Sequence, residues 1–220
     1  MQHIQSVAAG LLALLGSVAS ASELPVVKEA EASWRGCAYK LKVLDDSAAG
    51  SQSTYPIGPP WQTSGKYQIT LQIVSGMRSL CRIQPRTVEL SKAFEVPDLA
   101  ITVNDAGLAV AYSRGAYHPW TGYLRVIEIK QFDPVDLSTL KATDLYARYG
   151  QNPDASDYAP GRLSLSEVTI HSTSLEVRGG VEGTLIWGGG TTRTGSGSQF
   201  IAGYLDFFGQ PQQPPSIVIY

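Results

Sequence analysis

The side chains with the most chemical capacity crowd into GAYHPWTGY, residues 115–123. An imidazole such as His118 can serve as acid, base or metal ligand near neutral pH. Tyr117, Trp120 and Tyr123 offer aromatic faces suited to stacking on a sugar or gripping an apolar ligand. Two further tryptophans stand beside Gly/Pro-rich stretches, Trp61 in YPIGPPW and Trp187 in GTLIWGGG. Trp61, Tyr117, His118, Trp120 and Trp187 are therefore the candidate ligand-binding residues. The same nonapeptide also suits a rigid turn packed as a lid over one end of a core. Loops at 55–61, 115–123 and 186–198 would make a pocket wall only if they converge on one concave surface.

Metal and nucleophile chemistry find little support. Beyond the leader described below, His118 and His171 are the only histidines, and no HExxH pair occurs. Asn152, Asp154 and Asp157 in QNPDASDYAPG offer oxygen ligands at spacings that calcium accepts, although the EF-hand order is absent. Asx residues in such loops also make turns. Calcium is thus the one cofactor candidate, and otherwise no cofactor is expected. GxSxG is missing, and WGGGTTRTGSGS lacks the GxxxxGK[ST] frame of a phosphate loop. Glu128, Glu167, Glu176 and Glu182 fall on or beside expected strands, where a hydrolase presents an acid and a base. The pattern singles out no pair among them.

The stretch DLYARYGQNPDASDY resembles a piece of the pre-peptidase C-terminal domain of secreted bacterial proteases. The matching positions are Asp144, Leu145, Tyr146, Arg148, Gly150, Pro153 and Tyr158, within about 15 of the 220 residues. The cysteines and Gly-rich strands expected after it are missing. The resemblance implies a jelly-roll accessory module rather than a catalyst, and a strand at 144–149.

The first 21 residues read as a secretory signal. An apolar run from Leu11 to Val18 is followed by Ala19-Ser20-Ala21, a small-x-small cleavage pattern. The start, MQHIQ, is unusual in having no Lys or Arg. The run is shorter than the ~18–20 residues of a membrane span. Cleavage after Ala21 would send a chain of about 199 residues to the periplasm or the exterior. Charged residues make up 16% of the sequence, and net charge is −2. Such a balance leaves no basic excess for a phosphate backbone, so nucleic acid is an unfavoured partner. Cys37 and Cys81, the only two cysteines, read as one disulfide in an exported chain.

The dominant hydrophobic period is two, that of a strand. In RGCAYKLKV and KYQITLQI alternate residues are apolar, and SLCRIQ places Cys81 and Ile83 on one face. LAITV and LAVAYS flank the turn composition NDAG. GYLRVIEIKQF alternates, with Glu128 and Lys130 expected outward. In RLSLSEVTIH the apolar parity changes near Ser166, which predicts a bulge. SLEV, GTLIW, QFIAGYLDFF and SIVIY complete about ten strands. Residues 134–149 read two ways. One is a helix capped at Asp133 and stopped at Gly150; the other is a short helical turn near 135–141 followed by a strand over 144–149.

These elements predict an all-β fold, an antiparallel β-sandwich of jelly-roll type, with a barrel as the alternative and at most one short helix near 134–149. A single domain over 22–220 is the simpler organisation, with a subdomain boundary near residue 97 as the other. The function expected is non-catalytic binding of a small molecule, glycan or protein through aromatic-bearing loops. The alternatives are a small secreted hydrolase or barrel-type isomerase using carboxylates or His118, and an assembly protein pairing through exposed strand edges. The sequence does not set an oligomeric state.

Overall fold

The structure is a computed structural model that describes residues 23–47, 65–74, 81–118, 122–149, 159–188, 192–193, 197–209 and 213–220. The leader therefore lies outside the described residues. So do Trp61, Trp120, Asn152, Asp154 and Asp157.

The chain first folds into a four-stranded antiparallel meander. Its strands are β1 (Val26–Trp34), β2 (Cys37–Asp45), β3 (Tyr67–Val74) and β4 (Arg86–Ala93), in that spatial order. The β1–β2 turn is Arg35-Gly36, with both residues at positive φ, as a two-residue hairpin of right-handed twist requires. Cys37 opens β2 and is bonded to Cys81, with their Cα atoms 4.6 Å apart. The stretch around Cys81 is not a strand: 81–85 is irregular, and β4 begins at Arg86. RTVELSKA lacks a strong apolar run because β4 lies at a sheet edge, where one half-buried face suffices.

A seven-stranded sheet follows. It comprises β5 (Leu99–Asn104), β6 (Gly107–His118), β7 (Gly122–Phe132), β8 (Thr139–Tyr149), β12 (Thr184–Trp187) and β13 (Thr192–Arg193), in the order β13-β12-β8-β7-β6-β5. The two-residue β9 (Ala159–Pro160) pairs with β8 off this path. The third sheet holds β10 (Arg162–His171), β11 (Ser174–Glu182), β14 (Gln199–Tyr204) and β15 (Ser216–Ile219), again in that order. A register shift between Leu165 and Glu167 is the bulge that the parity change near Ser166 predicted.

The fold is the expected all-β, sandwich-like arrangement of antiparallel sheets; none closes into a barrel, and the open sheets here are three. The reason is visible in β6, whose LAVAY run is buried on both faces. Leu108, Val110 and Tyr112 join a core with Tyr39, Leu41 and Leu71 of the first sheet. Ala109 and Ala111 face the other way, into a core with Leu163, Val177 and Phe200 of the third. A continuous apolar run is the mark of such a doubly covered strand.

The helical reading of 134–149 does not hold. Asp133 does cap a turn, its Oδ1 accepting from the amides of Val135 (2.7 Å) and Asp136 (3.2 Å). Leu137 then takes a left-handed conformation, φ 57°, while burying its side chain in the first core. That residue ends the turn and launches β8, leaving Leu140 exposed where a helical stripe would have buried it. QFIAGYLDFF also differs from expectation. Only 199–204 form strand, flanked by β11 and β15, so the segment offers no free edge. β15 itself is an edge strand.

Asp98, between β4 and β5, ties all three sheets together. Its carboxylate accepts from Lys28 of β1 (3.4 Å), Arg125 of β7 (3.3 Å) and the Leu165 amide of β10 (3.1 Å). Its backbone amide donates to Ser113 Oγ of β6 at 2.7 Å.

Candidate functional site

The registers of β6, β7 and β8 align three polar residues in one row. Tyr112 is paired with Glu128, and Glu128 with Asp144. Directly opposed residues project from the same face of a sheet with Cβ atoms ~4.5–5.5 Å apart. Tyr112 belongs to the first core, so this row lies on the side of the central sheet that the first sheet covers. Arg114 and Lys130 stand one step to either side on the same face, two residues along β6 and β7.

These groups form a buried charge cluster around Glu128. Tyr112 Oη donates to its carboxylate at 2.5 Å and Arg114 Nε at 2.5 Å. A second Arg114 nitrogen pairs with the same oxygen as Nε, and Lys130 Nζ lies 3.1 Å from the other. The three charged side chains are only 11% (Arg114), 15% (Glu128) and 19% (Lys130) exposed. Lys130 also reaches the Leu90 carbonyl at 3.5 Å and lies 5.4 Å from the Tyr112 ring centre. Glu128 and Lys130 are therefore not the outward-facing pair that alternation alone suggested. Sheet-face parity is the same for a solvent-facing residue and for one covered by another sheet.

Burial tends to raise the Glu128 carboxyl. The charges of Arg114 and Lys130, with hydrogen bonds from Tyr112 and Lys130, outweigh it and hold the group below the usual carboxylate range. The Tyr112 hydroxyl is pushed far up, first by burial and then by Glu128. Asp144 moves the other way. Burial raises it most, and the neighbouring Glu128 charge adds to this against the opposing influence of Arg114 and the Gly188 amide. Neighbouring carboxyls whose surroundings push them apart can hold different protonation states at one pH.

Glu128, Lys130 and Asp144 open onto a concavity of about 540 Å³, together with Ala142, Thr143, Trp187 and Gly188. Gly188 matters here because a Cβ at that position would collide with Asp144 Oδ1. The glycine lets a half-buried carboxyl lie flat against bare backbone.

Of the sequence candidates, Trp187 lines this concavity, yet it is only 9% exposed and its Nε1 donates to Thr143 Oγ1 at 2.6 Å. Its indole is a packed wall with its N–H already used, not an open stacking platform. Tyr117 and His118 end β6, opposite Tyr123 and Gly122 of β7. The described parts of GAYHPWTGY, 115–118 and 122–123, are thus the paired ends of two strands. His118 lies six residues beyond Tyr112 on an extended strand, ~20 Å along it. The fold therefore separates backbone position 118 from the row that carries the carboxylates. Glu167, Glu176 and Glu182 lie on the third sheet, away from Glu128. Among the described residues, no group of three or more His, Cys, Asp or Glu side chains could hold a metal ion.

Sequence reasoning missed Asp144, Arg114 and Lys130 as site residues. Their signal was present: ionisable residues inside strands whose neighbours are apolar, as in AYSR, VIEIK and TDLYA. Comparison of the chain with family models, curated proteins and solved structures returned no match. The disulfide accords with an oxidising, extracellular environment. Among the described residues, no helix is long and apolar enough to cross a membrane.

Proposed function

We propose that this is an exported binding protein, cut after Ala21 and delivered to the periplasm or the exterior, that holds a small polar ligand in the Asp144 concavity. The observation that carries the reading is the unequal surroundings of the two carboxyls. Glu128 has its oxygens taken by Tyr112, Arg114 and Lys130. Asp144 is drawn out of water against Gly188, and both burial and Glu128 oppose its charge. A ligand hydroxyl or amide that hydrogen-bonds Asp144 would replace the water it has lost. The site has the size and mixed lining of a small-molecule pocket. A ligand seated there reaches strand residues rather than the hairpin tip that the sequence pointed to.

Catalysis is the second reading, favoured by the split between a low carboxyl and a raised one. It is the weaker of the two because Glu128 would have to break an ion pair to act as base or nucleophile. The test is a thermal-shift and tryptophan-fluorescence titration of the intact protein against free amino acids, polyols and nucleosides. A compound that raises the melting temperature of the wild type and loses its effect with Asp144→Asn and Gly188→Ala supports the binding reading. Turnover of a bound compound that disappears in Asp144→Asn would favour catalysis instead. No response from any compound would remove the concavity as the functional site.

A further inference from the structure

A second groove lies along β10, β11 and the start of β14, and shares no lining residue with the Asp144 concavity. It measures about 670 Å³ and is lined by Arg125, Arg162, Ser164, Glu182, Ser198 and Gln199, with a floor at Gly180. The floor is low because Gly180 has no side chain between Ser164 and Gln199. A Cβ there would come 2.7 Å from Ser164 Oγ and 3.8 Å from Gln199 Nε2. Ser164 is oriented by the Gly180 amide, which donates to its Oγ at 3.2 Å. Tyr149 is outside the lining itself but is tied to it: it is 42% exposed and donates its hydroxyl to Glu182 Oε2 at 2.9 Å. Arg162 Nε lies 3.8 Å from that same oxygen.

We propose that this groove binds a neutral oligosaccharide, with Arg162, Ser164, Glu182 and Gln199 engaging sugar hydroxyls and Tyr149 packing against a ring. Each sugar hydroxyl both gives and takes a hydrogen bond, and neighbouring hydroxyls lie close together. Planar guanidinium, carboxylate and amide groups bind such neighbours in pairs, and serine hydroxyls serve in either sense. An exposed tyrosine supplies the apolar face that a sugar's C–H groups require. An anionic ligand fits less well, because the two arginines already face carboxylates: Arg125 faces Asp98 and Arg162 faces Glu182. The volume falls within the range of small-molecule clefts.

The experiment is a two-dimensional amide NMR titration of the intact, labelled protein with maltose, cellobiose, xylobiose, mannobiose and chitobiose. At least one should move the amides of 162–164, 180–182 and 198–199 saturably, and adding salt should leave the affinity unchanged. Tyr149→Ala and Gln199→Ala should each weaken that binding about tenfold or more. Gln199 is an exposed strand residue, so its variant remains informative if the tyrosine variant fails to fold. The proposal is overturned if none of the five sugars shifts these amides. Shifts confined to 142–144 and 187–188, or wild-type affinity in Gln199→Ala, would overturn it as well.

Discussion

Replacing Glu128 with glutamine should cost the fold about 3 kcal/mol, because it strands buried cations. Glu128 is 15% exposed and Arg114 11%, so solvent screens their interaction only slightly. The substitution keeps size and one acceptor oxygen, and Tyr112 retains a partner. It removes the only anion within ion-pair distance of Arg114 among the described residues, and the one shared with Lys130. Breaking one side of such a pair typically costs ~3–5 kcal/mol, whereas replacing both sides with neutral groups is often close to harmless. The lower end applies here because the Asp144 carboxylate, relieved of a like charge, becomes less costly and offsets part of the loss. Urea unfolding of wild type, Glu128→Gln, and Glu128→Gln with Arg114→Met measures both steps. The single variant should lose about 3 kcal/mol, and the double variant should recover ~1–2 kcal/mol of it. The wild-type advantage also has a pH signature. A depressed carboxyl stabilises above its unfolded value, and that contribution disappears as pH falls through the folded value. Glu128→Gln should therefore approach wild-type stability in acid. A single variant as stable as wild type at neutral pH would show that the cluster is not the buried ion pair described.

The other predictions concern the frame and the second carboxyl. Asp98→Ala should lose ~2–3 kcal/mol in urea unfolding, since charge-assisted bonds to three sheets go with it and the group is only partly exposed. Removing both sulfurs with Cys37→Ser and Cys81→Ser should cost about 3–4 kcal/mol, from a closed loop with a sequence separation of 44. Asp144→Asn should raise stability at neutral pH, because a raised carboxyl works against folding once it is ionised. That gain should vanish as pH falls through the folded Asp144 value toward its unfolded one. Equal or lower stability of Asp144→Asn at neutral pH would contradict the assignment.

Much of the fold was legible because a strand writes its buried face in every second residue. Gly122–Phe132 and Arg162–His171 could be bounded from alternation, and a parity change located the bulge near Ser166. The disulfide was legible as an even pair of cysteines in an exported chain, although only Cys37 lies on a strand and Cys81 sits in an irregular segment. Layer count was harder. Alternation says that one face is apolar but not whether the polar face meets solvent or a second sheet. Hence Glu128 and Lys130 were expected outside, although they lie under the first sheet's edge. Residues 134–149 were ambiguous because Leu137, Leu140 and Leu145 fit a helical spacing. Tertiary burial of Leu137 in a left-handed turn decided for the strand. The site was the least legible part. Aromatic density drew attention to the hairpin tip, whereas Tyr112, Glu128 and Asp144 are brought together by register across three strands.

The most direct test of this account is a carboxyl-carbon NMR titration of the wild-type protein. Asp144 should titrate above the ordinary aspartate range and Glu128 below the ordinary glutamate range. Asp144 at or below the ordinary aspartate range, or Glu128 at or above the ordinary glutamate range, would contradict the buried row on which the proposed ligand site rests.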